Sequence, residues 1–183
     1  MEFDVLFSTR KVANHISKSE GRAPYYCFFG GFAETEYRHF VTFSGKCFSD
    51  NPCQKNLSIF VDPDSDLPKW KGVATGDDFL SENAVVHYID FTQNPSESDG
   101  TKIGGEPCFI RGAQADLFLS GLQENDAQFV LQLDEEDCFF ISQPDIDKAL
   151  RDVLCGGVLY LFAPISKDER VIDFNSCYFD HQM

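Results

Sequence analysis

The sequence predicts an α+β protein that is β-dominated, with a mostly antiparallel sheet and few short helices. Three observations lead there. Apolar and aromatic residues alternate with period two in short runs, as where Val85, His87, Ile89 and Phe91 oppose Val86, Tyr88 and Asp90. Turn signals such as Ser44-Gly45, Gly104-Gly105 and Gly156-Gly157 separate these runs. A full helical stripe is present over 142–154.

Taken in order, 2–8 reads as a first strand, and 9–18 carries Val12, Ala13 and Ile16 at the spacing of a short helix. Aromatic strands are expected over 25–29, closed by Gly30-Gly31, over 37–43, and then over 57–61. Asp62-Pro63-Asp64-Ser65-Asp66 resembles the opening of a calcium loop, but Leu67 and Val73 stand where that loop needs Gly and a bidentate Glu, so it reads as an acidic turn. The stretch 70–78, with the single Trp, Gly72, Gly76 and the pair Asp77-Asp78, reads as a loop before a strand over 84–91. Its His87 sits among apolar neighbours and reads as a half-buried histidine. The turn-rich 92–101 is the best linker candidate, so 1–183 is expected to be one domain with a possible two-lobe division near 92–101.

The most specified part is 102–163. Gly104-Gly105 and Pro107 suit a chain reversal ahead of 108–110; with no Gly-Lys-Ser/Thr, it is not a phosphate loop. In the strand 129–133, Gln132 is flanked by leucines and projects to the opposite face, where its amide can bond neighbouring backbone. Asp134, Glu135, Glu136 and Asp137 then crowd four carboxylates into one turn. The helix over 142–154 has Pro144 in its first turn, Asp145 and Asp147 near the positive end of its dipole, and Gly156-Gly157 as its stop. Its stripe of Ile146, Ala149, Leu150, Val153 and Leu154 faces the core. A central strand over 158–163 and a last strand over 171–179, before the polar 180–182, complete the sheet.

A chain of 183 residues with 19 Phe buries about 70% of its unfolded surface in one core, so neither disulfides nor a metal is needed. Lys+Arg 15 against Asp+Glu 30 gives a net charge of -15, which repels phosphate backbones and favours a basic protein partner. Glu2 and Asp4 stand where a secretory signal would be basic, and no apolar run is long enough to span a bilayer, so a cytoplasmic protein off the membrane is expected. The 7 cysteines (Cys27, Cys47, Cys53, Cys108, Cys138, Cys155 and Cys177) form no Cys-x-x-Cys pair and read as reduced, mostly buried thiols, Cys155 among them. Cys47 and Cys53, with His39 and Asp50 nearby, match no zinc-knuckle spacing, so no metal or cofactor is expected.

Lys102-Ile103-Gly104-Gly105-Glu106-Pro107-Cys108-Phe109-Ile110, then Phe129-Val130-Leu131-Gln132-Leu133-Asp134, then Gly156-Gly157-Val158-Leu159-Tyr160-Leu161-Phe162 resembles, in order, the motifs of the YwqG-like family of bacterial proteins. The match covers about a third of the chain. Phe109 replaces the family's usual Trp, Arg111 its Gln, and Leu154-Cys155-Gly156-Gly157 its Gly-Asp-x-Gly turn, marking a divergent member. The resemblance implies a mixed, β-dominated fold and largely unassigned biochemistry, with some relatives similar to immunity factors encoded beside secreted toxins. Resemblance and charge together lead us to expect an immunity protein that neutralises a cognate toxin, plausibly a nuclease. Its partner would meet Asp62, Asp64, Asp66, Asp77, Asp78, Asp134, Glu135, Glu136 and Asp137, while Gly104, Gly105, Pro107, Gln132, Gly156 and Gly157 are structural. No catalytic set is legible; the alternatives are a hydrolase using Cys108 or Cys155 with His87, and a small-ligand binder using the Gly-Gly-Pro turn and Gln132.

Overall fold

The computed structural model describes residues 3–13, 25–29, 33–34, 36–79, 85–92, 101–110, 119–120, 122, 125–135 and 153–183, with backbone alone at 3–13, 33–34 and 85–92. Among these residues the chain forms β1 (Phe3–Ala13), β2 (Tyr26–Phe29), β3 (Ala33–Glu34), β4 (Tyr37–Phe43), β5 (Asn56–Asp62), β6 (Lys69–Thr75), β7 (Val85–Thr92), β8 (Lys102–Ile103), β9 (Ala127–Asp134), β10 (Val158–Pro164) and β11 (Tyr178–Gln182). They make one 11-stranded ladder in the order β11-β10-β9-β8-β1-β7-β2-β4-β5-β6, with β3 paired to β4. Every pairing in it is antiparallel. The fold is β-dominated; helical residues in the described chain are limited to 119, 120, 122 and three short 3-10 turns.

The ladder curls so that its two halves share a core. Cys27, Phe29, Val41, Phe43, Leu57, Ile59 and Val61 of the β2-β4-β5 side pack in one buried cluster with Leu131, Leu133, Leu159, Leu161, Ala163 and Phe174 from the other side. Alternation puts these residues on the facing surfaces of the two halves, as in packed sheets. A bulge in β4 breaks that alternation once: His39 pairs with Phe60 and Val41 with Ile59, so Phe40 is the extra residue. The bulge brings His39 and Thr42 to the same outer face, where imidazole Nε2 lies 2.7 Å from Thr42 Oγ1. Thr42 Oγ1 meets Ser58 Oγ at 2.7 Å, and Ser58 Oγ meets Thr75 Oγ1 at 2.8 Å.

Three sequence expectations are corrected. Residues 9–13 belong to β1, because pairing with β7 outweighs the weak helical spacing of Val12 and Ala13. Residues 69–75 are the strand β6 rather than a loop: Lys69 and Lys71 face out while Trp70 turns to the core, and Asp77–Phe79 is a 3-10 turn. The last strand is displaced: Asp173 Oδ1 accepts from Asn175 N at 3.0 Å and folds Phe174–Ser176 into a 3-10 turn, so β11 takes in the residues read as a polar end. Residues 106–109, after the two-residue β8, take no regular secondary structure.

The helix read over 142–154 lies outside the described residues up to 152, and Val153 and Leu154 are already in a turn. Gly30, Gly31, the linker core 93–100, Glu136, Asp137 and Cys138 also lie outside the described residues.

Candidate functional site

The segment after β8 is strapped across β9 and β10. Gly104 and Gly105 adopt φ of 73 and 74, the left-handed region that glycine enters without penalty, and Gly104 N donates to Val130 O at 2.9 Å. The strap is then held by two side chains that are cross-strand partners, Gln132 and Tyr160. Gln132 Oε1 accepts from Cys108 N at 2.9 Å, Tyr160 OH donates to Cys108 O at 2.6 Å, and Ile110 N donates to Tyr160 OH at 3.2 Å. Both side chains are fully buried, so these bonds satisfy polar atoms that water cannot reach. Phe109 seals the strap against Tyr160, with ring centroids 4.8 Å apart. The Gln132 amide oxygen is therefore occupied by the protein's own backbone.

The two edge strands of the ladder, β6 and β11, approach each other and form a seam. At one end it is closed. Asn175 Oδ1 accepts from Ala74 N at 3.0 Å, in place of a missing strand, and a Cβ on Gly72 would lie 2.7 Å from Cys177 Sγ. Glycine at 72 is what lets β6 come this close. Burial, then the nearby Asp173 carboxylate, pushes the Cys177 thiol up to about 12, and its Sγ donates to Phe174 O at 3.1 Å.

Further along, the seam opens. A cleft of about 500 Å³ is lined by Leu67, Pro68, Lys69 and Trp70 on one side and by Cys177, Tyr178, Phe179, His181 and Met183 on the other. Trp70 and His181 meet edge to face across its floor, with centroids 5.7 Å apart. His181 Nε2 donates to Leu154 O at 3.0 Å, which fixes the tautomer because a carbonyl only accepts. Burial holds the His181 pKa below the usual histidine value against the opposing pull of that hydrogen bond, Asp180 and Glu135. The indole N–H of Trp70 is shielded from solvent and meets no acceptor among the described residues. Leu67, 70% exposed, and Met183 leave apolar surface on the rim.

The acidic residues divide between the two ends of the fold. Register puts Asp62 opposite Lys69 at one end of β5-β6 and Asn56 opposite Thr75 at the other. Val158 pairs with both Gln182 and Asp134, and Trp70 reaches His181, so Asp62, Asp64, Asp66, Asp134 and Glu135 gather at the open end of the seam. Asp77 and Asp78 stand at the opposite end, where Asp77 Oδ1 accepts from Asn56 Nδ2 at 3.1 Å. Two of the carboxylates at the open end hold local structure. Asp62 accepts from Asp64 N at 3.1 Å and from Ser65 Oγ at 3.4 Å, and Glu135 Oε2 accepts from Gly156 N. Asp64, with a side chain 80% exposed, lies 3.7 Å from the Arg38 guanidinium, and Asp66 is exposed. Gly156, at φ 74, and Gly157, whose missing Cβ makes room for the Gln182 and Leu154 carbonyls, complete the turn that Glu135 anchors.

The thiols and imidazoles do not converge among the described side chains. Burial pushes the Cys47 thiol up to about 12, far from a thiolate at neutral pH. Cys155 is exposed, contrary to the buried thiol expected, because it occupies a left-handed turn position at φ 51 that points away from the core. Of the other described cysteines, Cys27 is buried, Cys53 is exposed and Cys108 and Cys177 are partly buried, so the thiols are less buried as a set than expected. The side chain of His87 lies outside the described residues; its backbone is on β7, three ladder steps or about 14 Å of sheet from the β9 strand that Cys108 crosses. His39 is walled by Phe28, Phe60 and Phe79. No cluster of three metal-ligating side chains occurs among the described residues, and no helix among them is long and apolar enough to cross a membrane.

No protein family, curated protein or solved structure matches this chain.

Sequence reasoning missed Tyr160, Trp70 and His181. For Tyr160 a signal was present: a phenol on a strand apolar on both faces needs a hydrogen-bond partner. The Lys69-Trp70-Lys71 alternation was the signal for β6. The Trp70 to His181 approach joins residues far apart in sequence and leaves no local mark.

Proposed function

We propose that this protein is an acidic interaction protein of the cytoplasm, related to the YwqG-like family, that binds a basic protein partner and neutralises a cognate toxin. On this reading the fold is α+β, with the helix over 142–154 packed on a β-dominated domain spanning 1–183. The observation that carries the reading is the pairing of exposed carboxylates with exposed apolar surface: Asp64 and Asp66 stand beside Leu67 and the cleft over Trp70. Interfaces combine a few apolar anchors with charged rims that steer encounter, and this end of the molecule has both.

One further observation weighs in the same direction. Gln132, the amide that could have served a small ligand beside the Gly-Gly-Pro turn, uses its oxygen to hold Cys108 N. The reading is tested by co-expression with the toxic product of a neighbouring gene. Restored growth and co-purification are expected, and unaltered toxicity with the protein present at high level contradicts it. Replacing Asp64 and Asp66 with Asn is expected to slow association about tenfold and flatten its salt dependence, as for other steered pairs.

A further inference from the structure

The ladder nearly closes into a barrel, and the place where it fails to close has the chemistry of a strand acceptor. Ala74 N points away from β5, since it donates to Asn175 Oδ1 on the other side. The β5-β6 register is regular from Asn56 opposite Thr75 to Asp62 opposite Lys69, so the N–H and C=O of Gly72 and Trp70 point the same way as those of Ala74. At Gly72 that edge is closed by Cys177; at Trp70 it faces the cleft. A sheet edge ending in a groove with an apolar floor is the geometry used when an extended peptide adds as a further strand.

We propose, resting on the partner-binding role above, that the open seam takes a short extended segment of the basic partner, which adds to β6 at Trp70. One or two of its apolar side chains would pack against Trp70, Phe179 and Met183. The charges decide the rest of its chemistry. Within the cleft Lys69 is the cation, opposite Asp62 on β5, so the inserted residues are neutral. Where the segment leaves the cleft it meets Asp64 and Asp66 on the β5-β6 turn, with Asp180 on β11 and Glu135 in the turn after β9 at the same end of the fold. Lys or Arg therefore flank an apolar, extended centre. Pro68 has no N–H to offer, which limits pairing to a few residues and makes flanking charge necessary for affinity.

The test uses the whole chain and a peptide, Lys-Arg-Thr-Val-Thr-Val-Thr-Lys-Arg, capped at both ends. Trp70 is the only tryptophan, so its emission reads the cleft directly. The peptide is expected to shift Trp70 emission saturably. A twin N-methylated at alternate central residues, which keeps every side chain but cannot pair as a strand, should bind at least about tenfold more weakly, as should a twin with Glu for each basic residue. Leu67→Ser, an exposed rim change, should weaken the peptide about threefold without altering the melting temperature. Equal binding by the N-methylated twin, or binding without a change at Trp70, overturns strand addition while leaving a charge-guided partner role intact. If neither this peptide nor polylysine binds, both are overturned.

Discussion

The two ends of the seam lie along the same edge strand, β6, and behave as opposites: the closed end meets the turn that precedes β11, and the open end meets β11 itself. At one end Gly72, Cys177 and Asn175 bring the edges together and satisfy the backbone. At the other, Leu67, Pro68 and Met183 line a cleft whose aromatic floor no other described residue covers. Antiparallel ladders escape the hazard of free edges by closing, by covering an edge or by charging it. This protein closes half a seam and places Lys69 and carboxylates around the other half, the pattern expected where an edge is reserved for a specific partner rather than protected from all. Changes at the closed end should cost stability, and changes at the open end should cost binding.

Alkaline titration should have the largest effect. Cys177 at the closed end, and Cys47 and Tyr26 elsewhere, have folded pKa values of about 12 against 9.0, 9.0 and 10.0 for the ordinary groups. Burial is the leading cause in each case. A raised folded pKa gives stability that is fully present below the unfolded value and is lost as pH climbs through the folded one. Above pH 9 the thiols ionise in the unfolded chain while burial keeps them protonated in the folded one, so stability should fall steadily, with a drop in urea midpoint between pH 9 and 12. A flat profile there would mean that the seam does not bury Cys177.

Gly72→Val should come next. Its side chain would collide with Cys177 Sγ and with Phe174 O, at 2.7 and 3.1 Å from the Cβ alone. The expected loss is about 1–3 kcal/mol in chemical denaturation, the range for overpacking. Asn175→Ala removes only the cap on Ala74 N in a solvent-accessible setting, so about 0.5–1 kcal/mol should be lost. Leu67→Ser should be the smallest in stability, within about 0.5 kcal/mol, with its effect appearing in peptide affinity instead. A Leu67→Ser variant as destabilised as Gly72→Val would erase the distinction between the two ends.

Much of the sheet was legible because its strands advertise themselves locally. Tyr37–Phe43, Asn56–Asp62 and Val158–Pro164 are dense in aromatic and β-branched residues between turn signals, and Gln132 could be placed on its face by counting alternation. The strands that escaped are the ones whose state is set elsewhere. β1 continues to Ala13 because β7 supplies partners for Lys11, Val12 and Ala13. β6 has two glycines nearby and a charged outer face, and only its pairing with β5 identifies it. β11 begins late because the Asp173 carboxylate caps a turn, a preference of the side chain for nearby backbone that apolar alternation does not register. Of the candidate site, the acidic turns were visible as composition. Their division, with Asp62, Asp64 and Asp66 at the same end of the fold as Asp134 and Glu135 and with Asp77 and Asp78 at the far end, follows from strand register and so required the structure.

Amide hydrogen exchange, read residue by residue with and without the basic peptide, tests the working difference between the two ends most directly. Ala74 N–H, held by Asn175, should exchange slowly throughout, whereas Trp70 N–H should exchange fast in the free protein and slow by about tenfold or more when the peptide is bound. Protection of Trp70 already present in the free protein, or a bound state that leaves Trp70 as fast as before, would contradict the account.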